Sequence, residues 1–520
     1  MDLARSMNLA GQNLLNTLDP NRHYLPIWGL DIARDHQVKI VVQWEGHNLG
    51  RWWDAMLRLE AATGFDIPAE IEGAMLQNLQ AYFDNPEHIC LAPSKKGRSL
   101  DMHSLREGLL ALNALVRYRN SRWAVRQGHQ MLDTLRRRTR EDLSLDFQET
   151  EYLKDTDNDA VRRVFPPVDM SAGRLIEALT WFYEATKNEL AFDLASRYSR
   201  FFLEHMTYED GSLNRSNNPT HTHSYLGTLR GLLLFGEMIG DRTFIDRVEA
   251  TYRVTVRRMI KRSGYADHDL ESREHGGETT SPGDAAQLAL WLANQGYPEY
   301  LDDVERIVRA RIVPSQLTDC PPLRAAVEGS SVSPDRLRTL ALGAFGGQHY
   351  ELHAGKRPTT DITAADVHSL CDIYTHTIAD TPAGLAVYLH FDYENEWIQV
   401  QSQRAERAIV TVRPRIWRPV MVRVPEWAPR DSVTLSVDGQ PIEPIWVGSF
   451  VRVSPARRPQ EIVLAFDTPE RTEKEEIWGE VFTVKWRGDE IIGISPNSCY
   501  LPYYPTLELS HGTGDGEYHM

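Results

Sequence analysis

Helical periodicity that comes in pairs constrains this chain most. From the N-terminus to about residue 380, apolar residues recur at three- and four-residue spacing. The segments lie near 4–18, 48–63, 69–83, 102–118, 121–138, 171–187, 190–206, 223–238, 242–261, 283–294, 299–312, 333–344 and 364–379. Short turns such as Thr63-Gly64, Lys187-Asn188 and Ile239-Gly240-Asp241 join the members of a pair. A longer loop rich in Trp, His, Asp or Gly then follows. Six or so hairpins in succession, with no strict repeat of the kind stacked units show, predict a closed (α/α)6 barrel rather than an open solenoid.

After Thr381 the period changes to two. Leu385–Phe391, Ile398–Gln401, Ala408–Arg413, Val420–Val424, Val433–Val437 and Ile462–Phe466 are short, β-branched runs separated by turn residues such as Asp438-Gly439. They predict an antiparallel β-sandwich, completed by strands near 449–453, 480–486 and 490–494. A length of 520 residues exceeds what one core serves. The expected division is a barrel over 1–380, a sandwich over 381–510 and a disordered tail over 511–520.

The formal net charge of −16 argues against a nucleic-acid partner, which would need a basic, counterion-releasing patch. The first residues lack the basic-then-apolar pattern of a signal peptide, and no apolar run is long enough to span a membrane. A cytoplasmic protein is therefore expected; monomer and homodimer stay open. Four scattered cysteines (Cys90, Cys320, Cys371, Cys499) form neither a zinc-type spacing nor a disulfide framework.

Three clusters carry candidate chemistry. Glu274-His-Gly-Gly-Glu278-Thr-Thr280 runs through Pro282 and Asp284 into a helix, so Asp284 sits where the helix dipole favours an anion. Glu278 and Glu274 are the first candidates for an acid–base pair, with Asp284 behind them. Trp44-Glu45-Gly-His47-Asn-Leu-Gly-Arg51-Trp52-Trp53 is the densest polar–aromatic cluster. There Trp44 and Trp52 are candidates to stack on a sugar ring, His47 and Arg51 to bind hydroxyls, and Glu45 to join the catalytic set, whereas Trp53 reads as core. His103 and Arg106 share a helix face, and His221, His223 and Tyr225 head another helix. A His-x-His pair without a third ligand reads as hydroxyl-binding.

Val422-Arg-Val-Pro425-Glu-Trp427, Val437-Asp-Gly439 and Gly448-Ser-Phe-Val-Arg-Val453 resemble the sandwich of β-L-arabinofuranosidase-type glycoside hydrolases (family 127 and its relatives). Gly277-Glu278-Thr279, Tyr300-Leu-Asp-Asp-Val-Glu305-Arg306 and His223–Gly231 resemble that family's barrel. In that family a Glu-Thr-Cys motif and a Cys-Cys pair bind zinc and supply a thiolate nucleophile. Here those positions read Glu278-Thr279-Thr280 and Thr363-Ala364-Ala365, and Cys371 reads as a core thiol. Without thiolates, neither the metal nor a thioglycosyl intermediate is expected. The resemblance thus implies a metal-independent, cofactor-free glycosidase acting on a terminal sugar through oxygen acids. A lyase or epimerase on the same barrel, or a degenerate sugar-binding protein, are the alternatives.

Overall fold

The computed structural model describes the chain except residues 43–44, 95–96, 101, 149–163, 169–171, 215–220, 271, 327–331, 347–356, 455–459, 498–500 and 509–520, and except the side chains of 92–94, 97–99, 102 and 273–275. Trp44, the side chain of Glu274 and the tail from residue 511 therefore lie outside the described residues.

The helices that build the barrel are α1 (Leu3–Asn16), α2 (Glu45–Thr63), α3 (Ala69–Phe83), α4 (Met102–Arg119), α5 (Arg122–Arg138), α6 (Leu175–Thr186), α7 (Glu189–His205), α8 (Thr222–Ile239), α9 (Arg242–Thr251), α10 (Thr280–Asn294), α11 (Leu301–Ile307) and α12 (Thr360–Thr375). Helices α2, α4, α6, α8, α10 and α12 pack in a closed ring, each against the next and α12 back on α2. The others cover it from outside. Helix α1 packs on α12 and α2, so the first helix of the chain supplies the outer partner of the last inner one.

Local chemistry explains the hairpins. Lys187 ends α6 in the left-handed region at φ 56°, and the Asn188 side chain then accepts from the backbone N–H groups of Leu190 and Ala191. Gly240 at φ 70° and Asp241 do the same between α8 and α9. Burial separates the two layers. In α7 the buried positions recur at Ala191, Leu194, Ala195, Tyr198, Ser199 and Phe202, one stripe of an amphipathic helix, whereas α8 is buried from Thr222 to Leu233 without a break. Inner helices approach closely where side chains vanish: a Cβ on Gly50 of α2 would lie 2.4 Å from the Glu107 carbonyl carbon of α4.

After α12 the chain forms two sheets around one apolar core that includes Leu385, Ile398, Val410, Val422, Val451 and Leu464. The five-stranded sheet takes Ile378–Thr381, Gly384–Val387, Val420–Arg423, Phe450–Val453 and Ile445–Val447 in that order; the six-stranded one centres on Ile398–Arg404, Arg407–Pro414 and Ile462–Asp467. Pairing is antiparallel except between Gly384–Val387 and Val420–Arg423. The strands expected near 480–486 and 490–494 do not complete this sandwich. With Glu470–Ile477 they make a separate three-stranded sheet. Its apolar face (Phe482, Val484, Trp486, Ile494) packs on Tyr265 and Ala310 of the barrel, which gives those strands a burial partner of their own. No helix among the described residues is long and apolar enough to cross a membrane.

Candidate active site

Each of the first five inner helices is followed by an outer one running back, and α1 precedes the ring as the outer partner of α12, so the N-terminal turns of the inner six converge at one mouth of the barrel. Their positive dipole ends point at a shared space, which favours carboxylates there. Helix α2 contributes His47 and Arg51, α4 His103, α8 His223 with His221 just before it, and α12 Asp361. The turn before α6 adds Arg174, and Glu278 and Thr279 lead into α10.

These side chains form neighbouring hydrogen-bonded and ion-paired groups around the mouth. His47 Nε2 lies 2.6 Å from Asp361 Oδ1, and Arg51 Nε forms an ion pair with the same oxygen at 2.9 Å. Arg51 Nη2 and Arg174 Nη2 donate to His223 Nε2 at 2.6 and 2.9 Å, so the proton of that ring is on Nδ1, which donates to Asp284. Arg174 Nη1 donates to His103 Nδ1 at 2.5 Å. His221 Nε2 lies 3.2 Å from Glu278 Oε1 and stacks at 4.5 Å, tilted by 34°, on His268 of the strand Asp267–Asp269.

Burial and neighbours sort the protonation states. Burial, joined by the Arg174 guanidinium, holds His103 and His223 well below the usual histidine range, so both rings are neutral. Burial works to raise Glu278, but His221 outweighs it and the carboxyl ends below its ordinary value. Asp361 is also lowered, because Arg51 and His47 overcome its burial. Burial pushes Asp284 up to about 6 against the pull of Arg230. Asp366 is raised well above the usual range by burial, which the hydrogen bond from Thr279 Oγ1 at 2.8 Å only partly offsets. The mouth therefore holds ionised and protonated carboxyls side by side.

Below the rim the axis is filled with buried ion pairs. Arg106 bridges Glu107 and Glu177, and Arg230 bridges Glu177 and Asp284. His368 joins Asp54 to Glu177. The remaining cavity among Arg51, Arg106, His223, Arg230, Asp284 and His368 is about 20 Å³, room for one water and no sugar.

Several candidates from the sequence meet here: Glu278, His47, Arg51, His103, His221, His223 and Asp284. Arg106 lies one layer deeper, in the ion-pair network. Glu45 is turned away, paired with Arg22 and accepting from Tyr82 Oη at 3.0 Å. Trp52 is not at the mouth. Its indole is fully buried, edge-on to Trp53 at 5.3 Å, and its Nε1 donates to the Leu14 carbonyl of α1. Tyr225 likewise belongs to the core, with no exposure at all. Glu274 lies on the strand Ser272–Gly277, which pairs with Asp267–Asp269. Sequence reading missed Arg174, His268, Asp361 and Asp366. Asp361 had a signal: it follows the Thr359 N-cap at the head of the last inner helix.

The thiolate zinc site implied by the resemblance does not fit these residues. Thr280, Ala364 and Ala365 are buried and offer no sulfur, and burial pushes the Cys371 thiol far above its usual value, two turns further along α12.

No protein-family model matches the sequence, and no curated protein matches it. Solved structures do. A glycoside hydrolase family 127 β-L-arabinofuranosidase from Geobacillus stearothermophilus T6 superposes with a TM-score of 0.53 at 12% identity, over 86% of this chain and 76% of that one. A second family 127 β-arabinofuranosidase gives 0.56 at 13% identity, over 94% and 80%. This chain has their fold. A six-hairpin barrel followed by β-sheets is thus common to all three, at identities too low to carry chemistry across.

Proposed function

We propose that the chain is a glycoside hydrolase that removes a terminal sugar from an oligosaccharide or small glycoside. The observation that carries this reading is Glu278, an ionised carboxylate only 1% exposed, held by His221 at the mouth of a six-hairpin barrel. An ionised carboxylate acting on water or on the anomeric carbon, together with a protonated acid, is what glycosidic cleavage requires. Asp366 is the protonated acid in the same helical turns, and Asp284, raised to about 6, becomes one as the pH falls; His47, Asp361, His103 and Arg51 present donors and acceptors to sugar hydroxyls. The ion-pair floor closes the barrel beneath them, which suits a single sugar entering end-on. A groove of about 970 Å³ lies at the barrel's edge, bordered by Thr222, Asp267 and the Trp478 indole, which is 42% exposed and donates from Nε1 to Asp267 at 2.8 Å. It gives the rest of a chain a place to lie, with an aromatic face for stacking.

The test is release of reducing sugar from a panel of aryl glycosides and oligosaccharides by the wild type and by Glu278→Gln. Loss of turnover by about 10²–10⁴-fold in the variant, with folding intact, is the expected result. An unchanged rate removes Glu278 from the reaction, and an ultraviolet-absorbing unsaturated product in place of a reducing end replaces hydrolysis with elimination.

A further inference from the structure

We infer that His221, His268 and Glu278 form a binding site for a divalent transition-metal ion that prefers nitrogen and oxygen ligands. Three separate elements deliver the donors: the residue before α8, the middle of the strand Asp267–Asp269, and the connection into α10. Their donor atoms all lie within 4.8 Å of one another. His221 Nε2 is 3.2 Å from Glu278 Oε1, and His268 Nε2 is 3.8 Å from Oε2. Two ligands each about 2.0–2.2 Å from one tetrahedral ion stand roughly 3.3–3.5 Å apart, so small ring rotations bring this set to ligand spacing.

Both rings are already oriented for the task. His268 Nδ1 lies 3.2 Å from Asp269 Oδ1 in an ion-pair contact, and the opposite edge of the ring, with Nε2, is turned toward Glu278. His221 Nδ1 is held by Ser224 Oγ at 3.1 Å, which leaves its Nε2 on the Glu278 side. An outer polar partner at the far nitrogen, here the Ser224 hydroxyl for His221 and the Asp269 carboxylate for His268, is the arrangement that metal-binding imidazoles show. A backbone bridge between His221 and Asp269 ties the two histidine segments together. Glu278 is closed off, but the His221 and His268 side chains are 23% and 15% exposed, so an ion reaches the set from the mouth and keeps a coordination position open there.

The site shares Glu278 with the zinc-binding motif that the resemblance implies, but its other ligands are His221 and His268 in place of sulfurs at Thr280 and near Thr363-Ala364-Ala365. Two imidazoles and one carboxylate suit Zn²⁺, Co²⁺, Ni²⁺ or Fe²⁺ and disfavour Mg²⁺ and Ca²⁺. The proposal shares Glu278 with the glycosidase reading: an ion bound here would take that carboxylate as a ligand, so Glu278 acts as a free catalytic carboxylate only without the ion.

The experiment uses the full chain, stripped with a chelator and titrated with Co²⁺ and then Zn²⁺. One equivalent of Co²⁺ per chain is expected, with d–d absorption and no sulfur-to-metal charge-transfer band, and Zn²⁺ displaces it. His268→Ala and His221→Ala should weaken binding by at least about 100-fold and Asp269→Asn by roughly 10–100-fold, with circular dichroism confirming that each variant folds. Asp269 is not a ligand, so that variant keeps the test open where a histidine variant fails to fold. No bound Co²⁺ in the wild type, undiminished binding in these variants, or a thiolate band overturns the proposal. Failure of every sugar substrate leaves these readings untouched.

Discussion

Glu107 accepts from Arg51 at 3.3 Å, Arg106 at 2.6 Å and Arg174 at 3.1 Å, all within the barrel interior. A buried charge this well partnered is costly to remove on one side, because three guanidinium groups are left facing one another. Glu107→Gln should lose about 3–5 kcal/mol of stability at pH 7, read by chemical denaturation. The pH dependence has a definite sign. Burial works to raise Glu107, but Arg106 and Arg51 bring it down to about 2 from an unfolded value of 4.5. Its contribution is therefore present above pH 4.5 and is lost as the pH falls toward 2. The gap between wild type and variant should close over that window; a constant gap would assign the loss to packing alone. For turnover the relevant pair is Glu278 and Asp284. With Asp284 at about 6 acting in its protonated form and Glu278 in its ionised form, kcat/KM should fall above about pH 6 and again in the acid range. An alkaline limb that stays in place in Asp284→Asn would move the proton donor to Asp366.

Why some site residues were legible and others not becomes clear along the helices. Loops that end in a helix put His47, His103, His221 and Glu278 at the mouth by chain order alone, and the sequence shows them. Inner helices, however, are buried on every face, so periodicity does not separate axis from shell. Consecutive residues point about 100° apart. Trp52 therefore turns to α1 while Arg51 turns to the axis, and Tyr225, two residues after His223, points the opposite way into the core. His268 sits on a three-residue strand too short to carry a pattern, and Arg174 in a single 3-10 turn. Packing between helices gives a direct check. Gly50→Ala forces the new Cβ against the Glu107 backbone, which cannot swing aside as a side chain would, and α2 must move from α4. A loss of about 1–3 kcal/mol is expected in thermal or urea unfolding, with reduced turnover because His47 and Arg51 ride on the same helix. An unchanged melting temperature would show that the ring is looser than its contacts imply.

Across the whole molecule, the motifs that carried the family resemblance turn out to be partners. Asp302 and Glu305 of α11 both take the guanidinium of Arg423 from the sandwich strand Val420–Arg423, and Glu305 also pairs with Arg309 at 2.9 Å and Arg404 at 2.7 Å. A fully buried carboxylate thus lies at the centre of an ion-pair cluster that joins barrel and sandwich. Pairing of residues more than a hundred positions apart leaves no trace in local periodicity, so the two motifs were visible while their contact was not. Burial works to raise Glu305, but His390 and the arginines around it hold it well below the usual carboxylate range, which keeps it charged across the neutral range. Glu305→Gln should leave three cations sharing a neutral amide and lower stability by about 3–5 kcal/mol. Calorimetry distinguishes this from a local packing defect. The wild type should melt in one transition, because the clasp couples the two parts, and the variant in two, with the sandwich released from the barrel. One transition in both proteins at the same temperature would mean that the apolar contacts of the sheets, and not this ion-pair cluster, join them.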